Sequence, residues 1–542
     1  MSQQLVIDHE GRAPAPAPHV PGARRGGRLT LLADAPPEHT DPAQMYIGTT
    51  LGVATGLFHR TLTGYLESHD GSPRMLVGDL ATDTGRTTDG GTTWTYTLRD
   101  GLRFEDGTPI DSYDVAHAIA RAFGPDGVYG PQFVQQALDP DRHYRGPGHG
   151  EPPPGLATPD ARTLVFTLPE PDPRFPFLVT TTTTTPVPRD LDDGADYETT
   201  WLSTGPYRVR ERVPGDHVLL ERNPHWDAAT DPIRHQYPDE IYWEFGVDRD
   251  RQTERLLKPS GGDRSAVATF DVSEDRVAAV REDPELLGRV VAGPSAYLQY
   301  VYINTRRVTD VEVRRALNHA FDRATCVELA GGAAGAEAAT TILAPMTPGH
   351  RIFDAHPAGA HGDPRKAREL LAGKKLRPLV FAYPDTAPNA PVAPAVRRAL
   401  ESAGFTIELR PVDKASFYSL MGDRDNDCDL IYGVWGPDFP DASGVFDVLF
   451  RGDRLTPNGN MNLSYFDDPE VTREIERLSR MPDREAAAEG YAALDERLMT
   501  EHAPVVPVYY KRQFTLYGPA AQGLFLSAQY FVPNLTRAHV AA

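Results

Sequence analysis

Asp89-Gly90-Gly91-Thr92-Thr93-Trp94-Thr95-Tyr96-Thr97-Leu98-Arg99-Asp100-Gly101-Leu102-Arg103-Phe104-Glu105-Asp106-Gly107-Thr108-Pro109 is the stretch that decides how this chain is read. Asp89 to Gly91 is a turn signal. After it Trp94, Tyr96 and Leu98 alternate with Thr93, Thr95, Thr97 and Arg99, the two-residue period of a strand with one face buried. Asp100-Gly101 supplies a second turn, Leu102-Arg103-Phe104 a second extended piece, and Glu105 to Pro109 closes the motif. Asp111 or Ser112 then caps a helix expected over about 113–123. The pattern predicts a hairpin feeding a helix.

Further blocks follow in order. Gly26-Gly27-Arg28-Leu29-Thr30-Leu31-Leu32 reads as a first strand, with Asp41-Pro42 after it. Thr204-Gly205-Pro206-Tyr207-Arg208-Val209 leads to Leu219-Leu220-Glu221-Arg222-Asn223-Pro224-His225-Trp226. Later come Tyr302-Ile303-Asn304 and Val311-Glu312-Val313-Arg314-Arg315-Ala316-Leu317-Asn318-His319-Ala320-Phe321-Asp322-Arg323. Trp435-Gly436-Pro437-Asp438-Phe439-Pro440-Asp441 and Ala503-Pro504-Val505-Val506-Pro507-Val508-Tyr509-Tyr510 complete the set. In this order, over most of the chain, the blocks resemble the family 5 extracellular solute-binding proteins of ABC transporters. Members of that family bind oligopeptides, dipeptides, nickel chelates and related solutes.

Composition describes an ordinary globular protein: 542 residues, 40% hydrophobic and 24% charged. That length is enough for two or three cores. No apolar run of about eighteen residues is present, so no membrane span is expected. With 55 basic against 76 acidic side chains the formal net charge is −21, which argues against nucleic acid or an anionic membrane surface as partner. The charge serves solubility, and it also suits a cleft that attracts amine-bearing ligands.

Interleaved strand and helix patterns place the chain in the α/β class. Helices are expected over 311–330, 364–372, 392–403, 469–479 and 484–501, and strands around 164–168, 218–221, 241–245, 379–383 and 430–434. Residues 1–26, with Ala-Pro-Ala-Pro-Ala-Pro, read as a disordered leader. The threonine run 180–185 reads as an extended segment. The resemblance implies a two-lobed, type II periplasmic-binding-protein-like fold with the extra subdomain of the peptide-binding cluster, a hinge and an interlobe cleft. Lobe I would comprise 27–58, 186–296 and 509–542, with the extra subdomain at 59–185, and lobe II would comprise 297–508.

A search for catalytic machinery finds no His-Glu-x-x-His, no phosphate loop, no Gly-x-Ser-x-Gly and no Cys-x-x-Cys. The 17 histidines are scattered. Pairs such as His143 with His149, or His356 with His361, read as solvated loop residues, and neither a metal nor a cofactor is expected. Cys326 and Cys428 read as buried free thiols, with a pairing between them as the alternative. In oligopeptide-binding relatives a disulfide cysteine follows the tryptophan of the Trp435 block. Gly436 stands there instead, so that disulfide is absent.

The resemblance implies a ligand role for Asp438, since in the peptide-binding branch the aspartate three residues after this tryptophan anchors the ligand's α-ammonium group. In a low-dielectric cleft an ammonium needs such a partner; the alternative is a turn-forming aspartate ahead of Phe439-Pro440. Asp441 reads as a cap for a helix beginning near 444. Trp435 and Tyr432 lie on or just after the strand 430–434 and are candidates to cover a ligand, with core packing as the alternative. Asn304, Asn460 and Asn462 are candidate amide contacts or ordinary turn residues.

The function implied is that of the solute-binding component of an ABC importer: a monomer and not an enzyme, which binds a peptide or peptide-like solute and hands it to permease subunits outside the cytoplasm. Residues 1–21 carry no apolar signal core, no Cys precedes Cys326, and the apolar patch after Arg24-Arg25 is short and ends at Asp34. Either a signal has been trimmed or mis-started, or this copy is a cytosolic descendant acting as a biosynthetic enzyme, intermediate chaperone or ligand sensor.

Overall fold

The computed structural model describes residues 5–67, 69–70, 72–124, 130–147 and 152–541. The chain divides into two compact units, Gly293–Arg512 and Gln3–Ala292 with Gln513–Ala542.

In the unit built from both chain ends, Arg28–Leu32 lies in a five-stranded sheet. It runs parallel to Glu240–Glu244 on one side and to Ala266–Ala268 on the other. Antiparallel His217–Arg222 and Tyr207–Val213 extend the sheet. Leu29, Leu31, Ile241 and Trp243 enter one core with Val53, Leu57, Phe58 and Trp201. Leu29 to Leu32 are all buried, so both faces of the strand are covered beyond Arg28.

The deciding stretch forms the strand Thr93–Thr97, with Trp94 and Tyr96 buried and the threonines half-buried. Its partner is not the piece expected. Thr93–Thr97 pairs antiparallel with Thr163–Thr167, Trp94 opposite Phe166 and Tyr96 opposite Leu164. Leu102 to Phe104 folds onto 108–110 instead, with Phe104 N–H donating to Thr108 O (2.9 Å) and Ile110 N–H to Leu102 O (3.1 Å). Three residues are too few to cover a five-residue strand, whereas Leu164 and Phe166 present a matching apolar face. The helix follows as Ser112–Arg121. Asp111 and Asp114 form a reciprocal capping box at its start: Asp111 Oδ1 accepts from Tyr113 and Asp114 N–H, and Asp114 Oδ2 accepts from Asp111 N–H.

Two low-complexity readings are corrected. The segment read as a disordered leader carries a strand: Leu5–Ile7 runs parallel to Arg74–Gly78. Ala17 N–H then donates to Asp231 O (3.0 Å), and Val20 N–H to the Tyr237 hydroxyl (3.1 Å). Its backbone finds partners on the body of the unit, which the Ala-Pro composition does not reveal. The threonine run is not extended. Thr182–Thr184 is a buried 3₁₀ turn, and the Thr180, Thr181 and Thr184 hydroxyls donate to the carbonyls of Phe177, Leu178 and Val179. Such local bonds compete with strand pairing.

The Gly293–Arg512 unit is organised on a six-stranded mixed sheet in the order Ala336–Ala338, Val505–Leu516, Val290–Ile303, Leu430–Trp435, Leu379–Pro384, Ile407–Val412. Strand alternation sends Leu298, Tyr300 and Tyr302 into one core with Phe446 and Tyr491, and Val301 and Ile303 into another with Leu317 and Phe381. The helix expected over 311–330 is two, Val311–Ala320 and Arg323–Leu329. The break falls where the Asp322 carboxylate accepts Thr325 N–H (2.9 Å) and starts the second. Pro469–Ser479 forms as read, and Arg484–Arg497 ends in a π turn, Leu498–His502. Cys326 and Cys428 are both buried and free. Among the described residues no helix is long and apolar enough to cross a membrane.

Candidate ligand-binding site

Trp435 ends the strand Leu430–Trp435, whose apolar run keeps it central in its sheet. The Trp435 ring is half-buried against the core of Tyr300 and Phe446, and its indole N–H donates to Gly444 O (3.0 Å). Gly444 lies in the following helix, Ser443–Leu449. The indole therefore spans the turn 436–442 and ties the strand end to the helix start.

Within that turn Pro437, Phe439 and Pro440 are buried, while Asp438 between them is half-buried. Asp441 N–H donates to Phe439 O (2.7 Å) and Gly444 N–H to Asp441 O (3.0 Å). A carboxylate carried on a turn with buried flanks has little conformational entropy left to lose when it meets a cation.

Asp441 stands one residue before the cap position Ala442 of the helix Ser443–Leu449 and braces its start. Its Oδ1 accepts Ser443 N–H (2.9 Å), and its Oδ2 meets the Arg484 guanidinium (2.5 Å). Burial alone would raise this carboxyl, but Arg484 and the Ser443 donor outweigh it and hold the group below the usual carboxylate range.

Tyr432 is placed differently from its expected role. It is 2% exposed and belongs to the core of Phe381 and Leu317, with its hydroxyl 3.5 Å from that of Tyr509. Strand alternation explains this: Ile431 and Trp435 share one face, and Tyr432 points from the other. Burial carries its phenol far above the ordinary range.

The three asparagines knit loops. Asn304 donates to Cys428 O and accepts from Arg306 N–H. Asn460 donates to Gly422 O and Thr456 O and accepts from Thr456 N–H. Asn462 donates to Phe466 O and accepts from Ser464 Oγ and Phe466 N–H. All three are buried, so a ligand contact would compete with these bonds. Of the six candidates, Trp435 and Asp438 are the two that are half-buried, Trp435 at the strand end and Asp438 on the turn that follows it.

Sequence reading did not single out Tyr297. The antiparallel pairing of Leu298 with Trp435 brings it beside Gly436, the first residue of the turn. Among the described residues no group of three or more His, Cys, Asp or Glu side chains is placed to hold a metal ion. His356 Nε2 meets Met499 O (2.8 Å), His361 pairs with Asp322, His143 lies beside Asp139, and His149 is outside the described residues.

Comparison with known proteins agrees with the sequence reading. The family profile described as "Bacterial extracellular solute-binding proteins, family 5 Middle" matches residues 75–456. The probable D,D-dipeptide-binding periplasmic protein DdpA of Escherichia coli (strain K12) is 24% identical over 495 residues, 89% of this chain and 88% of that protein. The periplasmic murein peptide-binding protein MppA of the same organism is 24% identical over 446 residues, 79% of each chain. A solved structure named clavulanic acid biosynthesis oligopeptide binding protein 2 superposes with a TM-score of 0.88 at 31% identity, covering 99% of both chains. The open, unliganded form of MppA superposes at 0.73 with 21% identity, covering 96% of this chain and 98% of the other. The α/β periplasmic-binding-protein-like fold expected from the sequence is thereby established, and the chain belongs to the bacterial extracellular solute-binding proteins of family 5.

Proposed function

We propose that this chain is the solute-binding component of an ABC importer. It takes up a peptide or peptide-like solute with a free amino terminus outside the cytoplasm and delivers it, as a monomer and without turnover, to permease subunits. Asp438 pairs with the ligand ammonium, and Trp435 covers the adjoining ligand surface. The observation that carries this reading is the half-buried Asp438 on the buried turn that follows Trp435. Membership of a solute-binding family and the peptide ligands named for DdpA and MppA support it. A net charge of −21 also favours approach of an amine over that of a nucleic acid.

Native mass spectrometry with a defined pool of free di- to pentapeptides, with trialanine as reference member, tests the reading. Retention of intact free peptides, and loss of retention when the same pool is N-acetylated, is expected. Failure to retain any member, or equal retention of the acetylated pool, overturns it. The name of the 31% identical structure favours a second reading, in which the bound solute serves a biosynthetic route. Chemical change of a retained solute during incubation would select that reading over delivery to a permease.

A further inference from the structure

Gly436 lacks a side chain for want of space. Its φ lies outside the left-handed region that favours glycine, so the backbone itself would accept another residue. A Cβ built there would stand 2.6, 2.7 and 2.8 Å from Cδ1, Cε1 and Cγ of Tyr297, well inside carbon–carbon contact distance. The ring is therefore seated on the bare backbone of Gly436. Strand register brings it there: the antiparallel ladder ends at the pair Leu298 with Trp435, and 297 and 436 are the residues that adjoin that pair. The strand is pinned at this point, because Tyr297 N–H donates to Ser295 Oγ (3.2 Å) and Ser295 Oγ donates to Lys511 O (2.8 Å).

The other flank of the turn is built the same way. A Cβ on Gly444 would come within 2.9 Å of Pro437 Cβ, and Gly444 O takes the Trp435 indole. The backbone presenting Asp438 is thus gripped between an aromatic ring at residue 436 and a helix start at residues 435 and 437. The Tyr297 ring fills the volume that a side chain at residue 436 would take.

We propose that Tyr297 is a positioning residue of the ligand site, its ring acting through Gly436 to fix the backbone that presents Asp438. The contact with residue 436 is made by ring carbons, so the coupling turns on the presence of the ring. The consequence for binding rests on the assignment of Asp438 to the ligand, whereas the coupling of Tyr297 to the turn does not.

The experiment compares the wild type with Tyr297→Phe, Tyr297→Ala, Gly436→Ala and the double variant Tyr297→Ala/Gly436→Ala. Two readouts are taken: amide hydrogen exchange over 435–444 in the free protein, and calorimetry with trialanine or the tightest member of the peptide pool. Tyr297→Phe, which keeps the ring carbons at residue 436, is expected to stay much nearer wild type than Tyr297→Ala in both. Tyr297→Ala and Gly436→Ala each speed exchange over 436–441 and weaken binding about tenfold. In the Tyr297→Ala background Gly436→Ala adds little, because the ring it clashes with is gone. Equal effects of Gly436→Ala in both backgrounds, or unchanged exchange in Tyr297→Ala, overturn the proposal. If Gly436→Ala does not fold, the contrast between Tyr297→Phe and Tyr297→Ala decides on the same two readouts. A wild type that binds no peptide removes the ligand assignment while the exchange comparison still judges Tyr297.

Discussion

Asp441 and Arg484 form an ion pair of 2.5 Å that joins the end of the Trp435–Asp441 turn to the first residue of the helix Arg484–Arg497. The same guanidinium donates to Leu478 O (3.1 Å) and Met481 O (3.0 Å), so one side chain secures a helix end, a loop and the turn 436–442. Both partners are largely buried. Removing one leaves the other charged and desolvated, which costs about 3–5 kcal/mol for a buried pair. Arg484→Leu and Asp441→Ala are each expected to lower unfolding free energy by about that amount in urea titrations at pH 7. Asp441 has its folded pKa depressed, so its contribution is present above the unfolded value and is lost as pH falls through the folded one. The gap between wild type and Asp441→Asn should therefore narrow on acidification below about pH 4.

Asp495 gives the opposite slope. Its carboxylate accepts Ile342 and Leu343 N–H, both at 2.9 Å, yet burial dominates and pushes the group up to about 7. A folded pKa above the unfolded value of about 3.9 means that the folded state binds the proton more tightly. This group's contribution is then full below about pH 4 and is lost as pH rises through about 7. Asp495→Asn keeps a carbonyl acceptor and removes the titration. Chemical denaturation between pH 5 and 8 should show a stability decline in wild type that is flatter in the variant.

Asp111 and Asp114 close the capping box that starts the helix after the deciding stretch. Asp111→Ala leaves two N–H donors without their acceptor and is expected to cost about 1–2 kcal/mol, while Asp111→Ser should recover most of it. Thermal unfolding followed by circular dichroism resolves the difference. Equal midpoints for the alanine and serine variants would mean that solvent caps the helix as well as the side chain does.

Local signals were legible and long-range ones were not. Pro469–Ser479 could be read because Asp468 supplies the cap and Pro469 the first helical position ahead of a clean apolar stripe. Leu430–Trp435 and Leu379–Pro384 stand out as short apolar runs. The partner of Thr93–Thr97 lies at Thr163–Thr167, and no nearby residue carries that information, so the local pattern points to the neighbouring piece 102–104 instead. Leu5–Ile7 was hidden for the same reason, its strand partner being Arg74–Gly78. At the site, the Trp435–Asp438 spacing was visible in the sequence. Which face Tyr432 takes, and that Tyr297 meets Gly436, depend on sheet register and on which side each core lies, and neither is written locally.

Asp438 yields the sharpest test. If its carboxylate neutralises a ligand ammonium, Asp438→Asn should keep the fold, since the turn is held by Trp435, Asp441 and Gly444 through bonds that do not involve the residue 438 side chain. Binding should weaken by about 2–4 kcal/mol, because an amide replaces the hydrogen bond and not the charge. That is about thirty-fold to a thousand-fold in dissociation constant. N-acetylation of the peptide removes the same charge from the other side, so the acetylated peptide should lose little further affinity against the variant. Calorimetry on the four combinations of wild type or variant with free or acetylated peptide closes the cycle. Strong non-additivity is the expected result. Losses that simply add, or a variant that binds like wild type, would make Asp438 a turn residue and move the ammonium contact elsewhere.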